Sequence, residues 1–119
     1  MIEVSTYQIG IFDYLLYICI MRIIAFRTLR EFWEKAEYAD SEISLRAWYH
    51  EAKNADWNNA NELKAQYKSA SVVGEEKVVF NIKGNTYRLV VLIDYEYQVI
   101  FIRFIGTHKQ YDKIDTKTI

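Results

Sequence analysis

The sequence predicts an α+β fold: an N-terminal strand and two to three helices packed on one face of a mainly antiparallel sheet that ends in a three-strand meander. Three observations carry this prediction. Apolar residues recur at helical spacing between Leu29 and Tyr67, the period switches to two from Lys77 onward, and 119 residues are enough for one domain with one core. A hydrophobic share of 51% with 26% charged residues excludes a disordered chain or a fibrous repeat.

Arg22 to Phe26 is a short β-branched and aromatic run, a predicted strand. Thr28 and Glu31 then have capping-box spacing, which predicts a helix opening at Thr28. Leu29, Phe32, Trp33 and Ala36 follow at i, i+3, i+4 and i+7 and form its apolar face. A second helix is expected over Glu42 to Lys53, burying Leu45, Trp48, Tyr49 and Ala52. Asn59 and Glu62 cap a third, short helix with Leu63 and Tyr67 inward, and Ser69 to Gly74 reads as a loop. Lys77–Ile82, Thr86–Tyr95 and Gln98–Ile105 are the three strands of the meander, turned at Gly84-Asn85 and Glu96-Tyr97. Both residues of a Gly-Asn pair tolerate positive φ, as a two-residue hairpin loop requires.

Domain organisation follows the same pattern. Residues 1–20 read as an N-terminal extension outside the core, with Met21 as an alternative start, residues 21–115 as the folded domain, and residues 116–119 as a tail. The run Ile9 to Phe26 is mostly apolar, but Asp13 and Arg22 interrupt it, and it has neither a preceding basic region nor a small-residue cleavage site. It therefore predicts neither a signal peptide nor a membrane span. Cys19 is the lone cysteine, so no intrachain disulfide forms and a cytoplasmic protein is expected.

The formal charge of −1 at first excludes a strongly basic nucleic-acid binder, but its distribution is uneven. Arg22, Arg27 and Arg30 precede an acidic stretch, Glu31 to Glu76, with ten acids against five bases. From Lys77 to Lys113 six bases face three acids, so the sheet half of the chain is basic. With so modest a total, affinity for any free nucleic acid should be weak.

With the two hairpin loops set as above, Asn81 lies opposite Arg88 and Arg103 opposite Val90, so Asn81, Arg88 and Arg103 cluster on one sheet face. The other face would carry Phe80, Ile82, Leu89, Val91, Ile102 and Phe104 as core. Two adjacent guanidinium groups repel unless an anion lies between them, and either a phosphate or Asp112 would serve. A one-residue slip would move Arg103 to the opposite face. Directly after the third strand, Thr107, His108, Tyr111 and Asp112 share one side of a helical turn. An imidazole exchanges protons near neutral pH, a tyrosine donates a hydrogen bond or stacks on a base, and a carboxylate orients either an imidazole or an arginine. A satisfied histidine beside a helix cap is the plainer reading of the same spacing. His50, alone on its helix, reads as structural or solvated. One Cys, two distant His and no clustered carboxylates give no metal pattern, and without a Gly-rich phosphate loop no cofactor is expected.

Three segments carry a resemblance to a known family: AxxADWNNANELKAQYKSASVVG, VVFNIKGNTYRLVVLIDY and VIFIRFIGTHKQYDKID. Together with the opening MRIIAFRTLREFWEK, they resemble the HigB family of type II toxins, which are RelE-like mRNA interferases. The match covers about Met21 to Asp115. The resemblance implies a RelE-like fold, a toxin that cleaves mRNA on translating ribosomes and so inhibits translation, and neutralisation by a HigA-type helix-turn-helix antitoxin. DNA would be contacted only indirectly, through that antitoxin, and no membrane is involved. Carried over by position, the motif residues are Phe80, Asn81, Ile82, Gly84, Asn85, Tyr87, Arg88 and Leu89, then Thr107, His108, Tyr111 and Asp112. Two departures stand out. The family's usual Phe-Pro-Ser-Ala is Tyr67-Lys68-Ser69-Ala70 here, which removes a stiffening proline and predicts a looser loop. Residues 1–20 have no counterpart.

RNA cleavage by a 2′-hydroxyl needs a base, charge stabilisation at phosphorus and an acid for the leaving oxygen. The candidate catalytic residues are Arg88 and Arg103 on the phosphate, His108 for proton transfer, and Tyr111 and Asp112 to position RNA or the imidazole. Asn81, Lys83, Asn85, Lys109, Arg27 and Arg30 are the candidate RNA-binding residues. Which group is base and which acid stays open. The rival reading is a catalytically inactive module of the same fold that acts with a DNA-binding partner in transcriptional repression.

Overall fold

The structure, a computed structural model, describes residues 21–74 and 76–119; the expected extension, residues 1–20, lies outside the described residues. The chain runs β1 (Arg22–Ile24), α1 (Phe26–Trp33), a 3₁₀ turn (Ala36–Ser41), α2 (Glu42–Lys53), α3 (Ala60–Gln66), β2 (Ser71–Val73), β3 (Lys77–Ile82), β4 (Tyr87–Asp94), β5 (Val99–Thr107) and α4 (His108–Tyr111). Its five strands lie in the order β1-β5-β4-β3-β2, with β1 parallel to β5 and every other pair antiparallel. This is the α+β architecture that the change of period implies.

The helices bury one stripe each on one sheet face. Leu29, Phe32 and Trp33 of α1, Leu45, Trp48 and Ala52 of α2 and Leu63 of α3 meet Val78, Phe80, Ile82, Leu89, Val91, Ile93, Ile100 and Ile102. Helix α2 has the expected bounds, and Arg46 both pairs with Glu42 at 2.8 Å and lies 4.7 Å over the Trp33 ring. Asn59 caps α3 through Glu62 N–H at 3.0 Å, whereas the Glu62 carboxylate accepts from Asn58 N–H, one residue before the cap.

The start of α1 differs from expectation. Strand β1 ends at Ile24, Ala25 turns the chain with φ 77°, and the helix begins at Phe26, so Thr28 sits inside the first turn and no capping box with Glu31 forms. Phe26 packs against Trp33 and Tyr49, at 5.7 and 4.4 Å between ring centroids, and these contacts draw it into the helix. Ala36 is exposed because α1 stops at Trp33, leaving its i+7 position to the 3₁₀ turn.

Ser69 to Gly74 is not wholly a loop, because Ser71–Val73 pair with Val79–Lys77 as an edge strand and Gly74, at φ 70°, turns the chain back. The missing proline does not leave the segment before it loose. The Tyr67 ring packs edge-on to Trp57 and Phe80, its hydroxyl bonds Glu51, and Lys64 Nζ donates to the Ala70 carbonyl at 2.6 Å.

The β3–β4 hairpin has the predicted register, with Asn81 opposite Arg88. Its positive φ values fall on Lys83 (53°) and Gly84 (65°), one residue earlier than expected. The β4–β5 pairing also follows prediction from Asp94–Val99 to Val91–Ile102, and there a bulge intervenes. Arg103 is the extra residue, Phe104 takes the place opposite Val90, and Ile105 lies opposite Leu89. Phe104 therefore leaves the core face, where it was expected, and Ile105 packs against the core instead.

Candidate functional site

Strand β5 delivers the chain into α4 at the end of the sheet where the β3–β4 hairpin turns. Thr107 pairs with Tyr87 and Gly106 with Arg88, and His108 N–H donates to Thr86 O at 3.3 Å. A reciprocal capping box fixes the entry: Thr107 Oγ1 accepts from Gln110 N–H at 3.1 Å, and Gln110 Oε1 accepts from Thr107 N–H at 2.8 Å.

Two preformed arrangements result. His108 Nδ1 lies 3.1 Å from Asp112 Oδ2, one turn along, the geometry in which a carboxylate orients an imidazole. With the proton on Nδ1, the other ring nitrogen is left to exchange a proton with a ligand. Arg88, half-buried on β4, donates to Asn85 Oδ1 at 2.6 Å and to Asn85 O at 3.3 Å. No carboxylate neutralises Arg88 among the described residues, so its charge remains available to an anion.

Other candidates are placed differently. The bulge leaves Arg103 exposed, with its guanidinium 5.8 Å from the centre of the Phe101 ring. The Phe104 ring covers Gly106, the residue opposite Arg88: a Cβ there would come within 2.6 Å of Phe104 Cζ. Asp112 serves His108 and not the arginines. Tyr111 is half-buried and accepts a hydrogen bond from Thr116 Oγ1 at 3.4 Å, so its hydroxyl faces the C-terminal segment. That segment is anchored further on, where Lys77 Nζ donates to the carbonyls of Thr116 and Lys117, both at 2.9 Å. Asn81 donates to Ser69 O at 3.4 Å and Asn85 is engaged with Arg88. Lys109 and Arg27 are exposed, and Arg30 lies 3.9 Å from Glu34.

Lys83, expected on RNA, is held by Asp40 of the 3₁₀ turn at 2.7 Å, and the same carboxylate accepts from the Tyr87 hydroxyl. The neighbouring Tyr38 hydroxyl accepts from Gln110 Nε2 at 3.0 Å. Sequence spacing missed Asp40, Tyr38 and Gln110. Asp40 is 43 residues from Lys83 and stands within an acidic run that reads as solvated surface.

The Lys83 ammonium first, and the Tyr87 hydroxyl next, hold the Asp40 carboxyl below its ordinary value, while burial and then Asp40 push the Tyr87 hydroxyl up to about 12. A depressed carboxylate stabilises the fold above its ordinary pKa and loses that contribution as pH falls through the lowered value. We therefore predict that Asp40→Asn is less stable than the parent at neutral pH and that the gap closes as the pH falls below the ordinary carboxylate range. Urea midpoints of the two proteins across that range provide the measurement, and a gap that persists in acid would contradict the assignment.

Among the described residues no group of three His, Cys, Asp or Glu side chains is placed to hold a metal ion, and no helix is long and apolar enough to cross a membrane. Residues 41–114 match the family model of HigB_toxin, the RelE-like toxic component of a toxin-antitoxin system. Over 94 residues, 77% of this chain and 88% of the relative, the chain is 30% identical to the mRNA interferase toxin HigB of Escherichia coli (strain K12). The mRNA interferase HigB of Escherichia coli O157:H7 and that of Shigella flexneri are similar to the same extent. With a sheet-end site built from the very motifs that suggested the resemblance, and with these matches, the chain belongs to the HigB family of RelE-like toxins.

Proposed function

We propose that this toxin is an mRNA interferase, an endoribonuclease that cleaves mRNA on the translating ribosome and is neutralised by a HigA-type antitoxin. The observation that carries the reading is that two prepared groups stand on neighbouring elements at one end of the sheet: an imidazole oriented by Asp112 and a guanidinium held by Asn85. In the proposed reaction a 2′-hydroxyl of the RNA attacks the adjacent phosphorus, the 5′-oxygen leaves, and a cyclic phosphate remains. Arg88 stabilises the charge that develops on the phosphoryl oxygens, and His108 moves a proton between the reacting oxygens. Asp112 keeps the imidazole aimed. Tyr111 supports the helix and tail behind it, and Arg103 and Lys109 are left to contact flanking phosphates. No cofactor takes part.

The weak overall charge supports delivery of the substrate by the ribosome, in the cytoplasm, over capture of free RNA. Contact with DNA is through the antitoxin. The test is to map RNA 5′ ends after a short pulse of expression, from the Met1 and Met21 starts separately. Cuts in frame with codons are the expected result, absent in His108→Ala. Cuts without a reading frame would remove the ribosome from the proposal. No cuts, with repression by a toxin–antitoxin complex intact, would favour a catalytically inactive module.

A further inference from the structure

The two halves of the candidate site come from separate elements. Arg88 and Asn85 belong to the β3–β4 hairpin, His108 and Asp112 to α4 and its end. One short segment grips both. From the 3₁₀ turn, Asp40 binds Lys83 and Tyr87 on the hairpin, while Tyr38, two residues away, accepts from Gln110 in α4. Gln110 in turn closes the capping box that starts the helix carrying His108.

The turn is itself rigidly seated. The Tyr38 ring stacks on Phe32 at 4.3 Å and 6°, meets Tyr87 edge-on, and Ser41 Oγ donates to Tyr38 O at 2.7 Å. Ser41 is fully buried. A seated turn bonded twice to the hairpin and once to α4 fixes their separation, and proton transfer and charge stabilisation at one phosphorus both depend on that separation.

We infer that the Ala36–Ser41 turn is a brace that sets the spacing of His108 from Arg88, with Tyr38 and Asp40 as positioning residues. For its kinetic readout alone, this inference rests on the proposed cleavage of mRNA. Tyr38→Phe keeps the stacked ring and removes only the hydroxyl that receives Gln110, so the variant should fold.

The experiment follows the side-chain NMR signals of His108 and Arg88 in the full chain, alongside cleavage of mRNA on programmed ribosomes. Tyr38→Phe should shift the His108 ring signals and lower kcat about five- to tenfold with KM unchanged. Asp40→Asn should move the Arg88 signals. Gln110→Ala should lower kcat as well, and adding Tyr38→Phe to it should cost nothing more, since both remove the same link. Unmoved His108 and Arg88 signals would overturn the brace, as would additive losses in the double variant. Should the parent protein fail to cleave mRNA, the proposed function falls, while the NMR signals still decide the brace.

Discussion

Arg88→Ala is expected to reduce kcat/KM on ribosome-bound mRNA roughly 100-fold or more while leaving the fold intact. A preorganised donor aimed at developing negative charge contributes about 2.7 to 4 kcal/mol in comparable oxyanion sites, and each 1.4 kcal/mol is about tenfold in rate. Arg88 meets the condition of preorganisation because the side chain and the carbonyl of Asn85 both fix its guanidinium before any substrate arrives. Arg88→Lys should recover little. An ammonium group is a point charge on a flexible stem and cannot hold two oxygens in one plane while facing a phosphate. The thermal midpoint should move by only a few degrees, because the side chain is half-buried and its partners lie in the adjacent turn. A folded Arg88→Ala protein that cleaves at the parental rate would sink the assignment.

The largest effect on stability should come from Phe80→Ala, at about 3 to 5 kcal/mol. Phe80 is 1% exposed at the centre of β3, and its ring centroid lies 5.4 Å from Trp48, 6.4 Å from Trp57 and 5.1 Å from Tyr67. Among the described residues it is thus the one ring that α2, the segment before α3 and the segment after α3 all share. Three large neighbours cannot collapse together into its space, so the site sits toward the upper part of the range for such truncations. Against a total stability of about 5 to 15 kcal/mol, the thermal midpoint should fall by more than about 10 °C. Urea unfolding of Phe80→Ala beside Val72→Ala, on the exposed edge strand, gives the comparison. Equal losses in the two would show that the aromatic cluster does not anchor the helices.

Much of the fold was legible because the signals involved are local. Helix α2 carries an uninterrupted 3.6-residue pattern, and the β3–β4 hairpin carries β-branched and apolar runs on both arms around one Gly. The features that escaped have nonlocal or ambiguous causes. The capping residues at Thr28 and Glu31 are suitable, but packing of Phe26 against Trp33 and Tyr49 begins the helix two residues sooner. The bulge is hidden because Phe104 and Ile105 are both apolar, so either can fill the inward position and alternation does not choose between them. Strand β2 is three residues long, below the length at which a period is visible. The site divides in the same way: the His108–Asp112 pair is an i, i+4 spacing that can be read along the chain, whereas Asp40 reaches Lys83 across 43 residues and only the folded chain brings them together.

The bulge in β5 has a consequence for which residues the strand can accept. In a regular ladder every position is committed to a side of the sheet and to a partner across from it, so its residue type is constrained by what it must pack against. Arg103 has no such partner. The extra residue gives the strand one vacancy in its packing rules, a position where a long cation can stand among Phe101, Ile102, Phe104 and Ile105 without displacing any of them from its own place.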